Sequence, residues 1–435
     1  MIFFFRAMFI VLFLVPGSLL LQANEATSPT THLDFAAEVD ELKKSVETLR
    51  GLPFTTPLKS SLADKETIVN YLNEMLDEEP LIQQEQEFVT ILKFLGFTQE
   101  DLNLRKIYEE LLTEQIGGFY DQKSGILYVS DSFFSDDPVS KSVIVHEMCH
   151  ALQDQHFNLD ALIQARRMND DQLLALMTVV EGDATVVMND YLTENVSIKM
   201  FLGFIKALSY DQQAFMNSPY FIRQTLTFPY LQGSLFISQA TLLGGDELRN
   251  ALFTSPPVSS EQVIHMEKYF DPHKYDEPTS VSLPDLSSQL GEGWTLDYQN
   301  NVGEFMLRVL FEQNDMYAQA RQYAGGWDGD WLHLYKKTTP EKAEHLLVWQ
   351  SVWDSIVDAR EFFGGFSKLQ ENHVPDSSLK KELHHHRLSS RQVSIDMNID
   401  RNIVTVFFTD TSPEIFNIPA QSILKRQSSE VQNTD

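Results

Sequence analysis

Residues 146–150 read His-Glu-Met-Cys-His, two histidines four positions apart with a glutamate directly after the first. In a helix, four steps return to within about 40° of the starting direction, so His146 and His150 project from one face. Glu147 lies about 100° round, where its carboxylate reaches a water on a metal rather than the metal itself. Those residue types at that spacing form the His-Glu-x-x-His zinc signature. Two neutral imidazoles hold Zn²⁺, the ion lowers the pKa of a bound water toward roughly 7, and a nearby carboxylate takes the proton. The flanks Val143, Ile144, Val145, Ala151 and Leu152 are apolar. Polar groups buried there without partners would cost several kcal/mol, which favours a metal. One zinc ion per chain is expected, with Glu147 as general base.

A catalytic zinc takes three protein ligands and leaves one position open. Two residues compete for the third place. His156 stands ten residues after His146, the offset of the third histidine in metzincins. That arrangement needs a glycine three residues after the second histidine to break the helix; here the position is Gln153, a good helix former. In a continuing helix His156 falls about 80° from His146, on the side away from His150. The rival is Glu181, within the apolar stretch Leu173–Met188. Helical spacing surrounds it with Leu174, Met177, Thr178, Ala184, Thr185 and Met188. A lone carboxylate on such a face must be protonated, paired or metal-bound. Gly182 and Ala184 are small enough to bring its helix close to the motif helix. Glu181 is therefore the expected third ligand.

His-Glu-x-x-His followed by a glutamate on a second helix resembles the gluzincin pattern of thermolysin-like peptidases. The runs Gly118-Phe119-Tyr120-Asp121, His146 to Phe157, Glu181-Gly182-Asp183-Ala184-Thr185 and Pro256-Pro257-Val258-Ser259-Ser260-Glu261-Gln262 are similar to blocks in secreted bacterial zincins. The resemblance spans about residues 50 to 410. It implies a zinc-dependent hydrolase with His146, His150 and Glu181 as metal ligands and Glu147 as base. Thermolysin-like enzymes carry an aspartate four residues after the ligand glutamate, orienting a histidine; here Thr185 stands there. Asp154 or Asp183 is the candidate replacement, since zinc-bound histidines need an orienting partner.

The elements that must position these groups can be sketched from periodicity. Leu33–Leu49 has helical spacing, Pro57–Leu62 suits a strand, and helices are expected near Asp64–Asp77, Ile82–Leu95 and Gln99–Thr113. Gly117–Val129 reads as a hairpin turning at Asp121–Gly125. Its strand Ile126–Val129 is a candidate edge for pairing with a substrate backbone, but reads more readily as an ordinary core hairpin. Pro138 opens the motif helix, and Asp170 or Asp171 would cap the Glu181 helix. Ser259 or Ser260 would cap a short helix before Glu261. Residues 198–245, rich in Phe, Tyr and Leu, suggest further helices. Tyr220, Tyr230 and His265 are polar residues of the kind that stabilise an oxyanion, though each also suits a structural role. Trp331–Tyr335, Leu346–Trp349, Gln392–Met397 and Ile403–Phe407 read as strands, with a helix over Ser355–Leu369. His384-His385-His386 sits among charges and reads as a solvated loop.

The fold class that follows is α+β: a predominantly helical zincin-like core with a short hairpin or sheet, plus a small C-terminal α+β unit. The expected organisation is a signal peptide over 1–23, a mostly helical region over 24–115, a catalytic core over 116–325, the C-terminal unit over 326–420 and a disordered tail over 421–435. With 435 residues, 43% of them hydrophobic, the chain can bury a large core. Its 33 basic against 62 acidic residues give a net charge of −29, which argues against nucleic acid as a partner. Arg6, the apolar run Ala7–Val15, the Pro16-Gly17-Ser18 break and Ala23 fit a cleaved secretory leader, and so a secreted or periplasmic protein with no stable membrane span. Without cleavage the same segment would anchor it. The single cysteine, Cys149, forms no internal disulfide and reads as packing beneath the zinc helix, with a redox-sensitive thiol as the alternative.

These features point to an exported zinc metallohydrolase, a peptidase acting on peptide or protein substrates. An inactive zincin or zinc-binding scaffold, and a zinc hydrolase of a non-peptide or cell-wall amide bond, are the alternatives.

Overall fold

The computed structural model describes residues 32–114, 117–131, 134, 138–195, 213–374, 378–390 and 393–424. The expected leader, residues 196–212 and the tail beyond 424 lie outside these. Among the described residues the fold is α+β, with two sheets.

The first half is helical. Helix α1 (His32–Arg50) precedes strand β1 (Lys59–Ala63), and helices α2 (Lys65–Asp77), α3 (Glu85–Leu95) and α4 (Leu104–Glu114) follow. The hairpin appears as β2 (Gly118–Asp121) and β3 (Ile126–Ser130). Its turn is closed by Asp121, whose carboxylate accepts the Lys123 and Ser124 N–H groups. The sheet order is β1–β3–β2, with β1 parallel and β2 antiparallel to β3. Ile126–Val129 is thus part of a core hairpin and not the candidate substrate edge. That strand is paired on both sides, so its backbone groups are already bonded; β2 is an outer strand instead.

Helix α5 (Pro138–Phe157) carries the His-Glu-x-x-His motif. Its residues are buried in an almost unbroken run from Ser142 to Gln153, as its apolar flanks require. Ile144, Val145, Met148, Cys149 and Leu152 pack with Phe35, Val39, Leu42 and Val46 of α1 and with Leu127 and Val129 of β3. Cys149 is buried in this cluster, and burial drives its thiol pKa well above the ordinary range. Helix α6 (Asp170–Asn195) crosses α5 and carries Glu181. Its cap is Asn169, whose side chain accepts the Gln172 N–H at 2.9 Å. Asp170 and Asp171, expected as caps, lie in the first turn, where their own N–H groups donate to Asn300 and Asn301.

Helix α7 (Tyr220–Thr254), broken by non-helical backbone at Gly244 and Gly245, packs along α6. The two touch through backbone at Gly182 and Gly233: a Cβ on Gly182 would stand 2.3 Å from the Gly233 carbonyl carbon. Gly182 therefore serves α7 rather than the motif helix, while Ala184 packs beside Cys149 and Val145.

The second sheet has seven antiparallel strands in the order β4–β5–β6–β10–β9–β8–β7. They are β4 (Trp294–Asn300), β5 (Trp327–Thr338), β6 (Ala343–Trp353), β7 (Ser378–Glu382), β8 (His385–Ser389), β9 (Ser394–Asp400) and β10 (Ile403–Thr409). Between β4 and β5 run helices α8 (Gly303–Gln313) and α9 (Tyr317–Ala324), and α10 (Ile356–His373) follows β6. The sheet thus recruits Trp294–Asn300, ahead of the boundary placed at residue 326. Alternation along β6 divides its faces: Leu347 and Trp349 join the main core, Leu346 and Val348 a smaller one with Phe407 and Phe416. Trp349 and Trp353 pack against Phe362 of α10. His385 and His386 are strand residues rather than loop. His385 pairs with Asp396 and His386 with Ser367, partners that hold them in β8. The main core runs continuously from Ile68 to Phe408.

Candidate metal centre

Helix α5 brings His146 and His150 to one face, and α6 sets Glu181 opposite them. Nε2 of His146 lies 3.1 Å from Oε2 of Glu181 and 3.0 Å from Nε2 of His150. The third edge, His150 Nε2 to Glu181 Oε2, is 3.5 Å. Donors around a tetrahedral zinc at about 2.0–2.2 Å stand about 3.3–3.6 Å apart, so these edges fall within a few tenths of an ångström of that set. All three side chains are fully buried. Oε1 of Glu181 and Nδ1 of His146 are buried without a hydrogen-bond partner among the described residues. A His₂Glu donor set with lone pairs converging in a dry interior fits a divalent cation better than it fits three mutually bonded side chains.

The electrostatics express the same crowding. Burial depresses His146 to about 4, with Glu181 opposing and His150 adding to the depression. Burial also disfavours protonated His150, but the charges of Glu181 and Glu147 outweigh it and raise its pKa. Glu181 meets the same desolvation, yet the histidines hold its pKa below the ordinary carboxylate value.

Glu147 is fully buried on the neighbouring face, and its Oε2 accepts the backbone N–H of Tyr120 at 2.9 Å. That bond ties the glutamate to β2. Tyr120 is itself fixed at its far end, its hydroxyl donating to Asp154 at 2.8 Å. Asp154 also accepts the Leu159 N–H and so terminates α5 rather than orienting a histidine.

His156 points elsewhere. The helix continues through it to Phe157, as Gln153 predicts, and its Nε2 meets the Pro53 carbonyl at 2.7 Å. Of the three uncommitted polar residues, Tyr230 alone is placed against the site, its ring stacked on His146 with centroids 6.0 Å apart. Tyr220 donates to Glu312 and His265 pairs with Glu304.

Asp183, two residues after Glu181, is the acidic residue connected to the histidines. Its carboxylate accepts Arg50 Nε at 2.8 Å, Arg249 Nε at 2.5 Å and Gln153 Nε2 at 2.8 Å. Burial opposes its charge, but the two guanidinium groups win and lower it to about 2. Sequence reading missed Arg50 and Arg249, which lie 133 and 66 residues from their partner and leave no local signal. Gln153 did leave one: it is three residues after His150, on a shared helical face.

A second acidic group, Glu261, Asp276 and Asp354, also has metal-like spacing. There the Lys268 ammonium stands among the three carboxylates at 2.6, 2.8 and 2.7 Å and already supplies the positive charge. Cavities of about 430 and 530 Å³ flank β4, and neither is lined by His146, His150 or Glu181. Among the described residues, no helix is long and apolar enough to cross a membrane.

Residues 293–419 match the model of a family described as a domain of unknown function, DUF8575. That span holds the seven-stranded sheet and excludes the histidines of the motif. No curated protein matches the sequence. A solved structure from Chloroflexus aurantiacus, described as a "putative hydrolase with a novel fold", aligns with 63% of this chain and 100% of its own, at 16% identity and a TM-score of 0.40. The reading of the site rests on its geometry.

Proposed function

We propose that this chain is a zinc-dependent hydrolase that cleaves peptide bonds. The observation that carries the proposal is the buried convergence of His146, His150 and Glu181, with Glu147 fixed on the same helical turn by the Tyr120 N–H. When bound by those three residues, one zinc ion supplies Lewis-acid polarisation of a carbonyl and acidifies water. Glu147 accepts the proton of the attacking water and returns it to the leaving amine. A purely structural zinc site would have four protein ligands and no need of a base. The proposal includes export directed by residues 1–23.

Metal analysis of the purified full chain, combined with product profiling on a diverse peptide library, tests the proposal. One zinc per chain with defined peptide cleavage is expected. Zinc without cleavage of any peptide overturns the peptidase assignment in favour of a scaffold or a non-peptide substrate. Absence of stoichiometric zinc overturns the metal centre.

A further inference from the structure

We propose that Gln153 is a positioning residue that fixes the tautomer of His150, through a buried chain anchored by Arg50 and Arg249; the inference builds on the metal-centre reading above. Oε1 of Gln153 lies 2.9 Å from Nδ1 of His150. The amide cannot be turned over. Its Nε2 faces the Val180 carbonyl at 3.0 Å and the Asp183 carboxylate at 2.8 Å, both of which only accept. A flipped amide would set oxygen against oxygen twice. With Oε1 so directed, Nδ1 of His150 carries the proton and donates it, and Nε2, facing His146 and Glu181, is the nitrogen left to ligate a metal.

The far end of the chain keeps the arrangement in place. Asp183 is held on both oxygens by Arg50 of α1 and Arg249 of α7. Every member, Gln153, Asp183, Arg50 and Arg249, is buried. Zinc-ligating histidines commonly donate their second N–H to a carboxylate or a carbonyl. Here a neutral amide takes that place, and the carboxylate behind it is neutralised by two guanidinium groups. His150 is thereby oriented without a full negative charge beside it, so the charge given to the ion comes from Glu181. The chain also makes helix α1, remote in sequence, part of the support of the site.

The test uses the full chain labelled with ¹⁵N-histidine, stripped of metal, with His150 assigned by comparison with His150→Gln. The expected spectrum shows a protonated Nδ1 at His150. An unprotonated Nδ1 there, with the proton on Nε2 alone, overturns the inference, whatever the zinc content of the native protein. Zinc affinity by chelator competition supplies the second readout. Gln153→Leu keeps volume but removes the acceptor, and is expected to weaken zinc about 10–100-fold. Gln153→Glu keeps an acceptor oxygen toward His150 Nδ1 and is expected to recover most of that loss. Equal affinity in the Gln153→Leu variant and the native chain would reduce Gln153 to packing and overturn the inference. Failure of the native chain itself to bind zinc overturns the metal-centre reading, while the tautomer spectrum still decides the role of Gln153.

Discussion

Gly182 of α6 and Gly233 of α7 meet backbone to backbone: a Cβ on Gly233 would stand 2.3 Å from the Thr178 carbonyl oxygen and 2.8 Å from the Gly182 Cα. The crossing places Glu181, next to Gly182, and Tyr230, one turn before Gly233, both against His146. Gly182→Ala or Gly233→Ala must therefore force the helices apart. A loss of about 1–3 kcal/mol or more is expected in denaturant unfolding, since overpacking a tight core costs that much. Zinc content should fall with it as Glu181 moves. Gly364→Ala is the control, because a Cβ there meets nothing within 4 Å. In an exposed helical position it should gain up to about 1 kcal/mol.

The choice between third ligands is directly testable. Glu181→Ala removes a donor from the buried triangle and is expected to abolish stoichiometric zinc. His156→Ala, which gives up the bond to the Pro53 carbonyl, is expected to keep it. Metal analysis after dialysis distinguishes the two, and the reverse pattern would remove Glu181 from the site.

The pH dependence of stability has an identifiable source in Asp171. Burial raises its pKa to about 7, the Ser260 N–H opposes the rise, and nearby Asp330 and Glu304 add to it. Its unfolded value is about 3.9, so between these limits the folded state holds a proton that the unfolded state has lost. Stability from this group is present below about 4 and declines as pH rises through 7. Asp183 has the opposite sign: lowered to about 2, it stabilises above its unfolded value and loses that contribution only as pH falls toward 2. The melting temperature of the metal-free chain is expected to rise as pH is lowered from about 8 to about 5. In Asp171→Asn, whose amide oxygen still accepts from Ser260, that slope should flatten; an unchanged slope would assign it to other groups.

Much of this was legible in the sequence because the signals are local. The apolar flanks of His146 and His150 announced a buried helix, and Gln153 correctly forecast that the helix would run on past His156. The alternation along β6 and β10 gave strands, and Gly117–Val129 gave its hairpin. What was not legible depends on pairing across long separations. The partnership of β3 with β1, which makes it a central strand, is set by Lys59–Ala63, far upstream. The same holds for Asn300 and Asn301, which receive the N–H groups at the start of α6, and for Arg50, which reaches Asp183. His385 and His386 looked solvated because their neighbours are charged; Asp396 and Ser367, which hold them, lie on other elements.

The central claim is that Glu147 acts as a base beside a zinc ion it does not bind. Glu147→Gln keeps the size of the side chain and leaves an oxygen to accept the Tyr120 N–H, but cannot take a proton. The decisive measurement is zinc content and peptide hydrolysis on the same preparation of this variant. One zinc per chain with hydrolysis reduced by at least about 10²-fold is the expected result, in line with the worth of a general base. Full activity in the zinc-loaded variant would contradict the account.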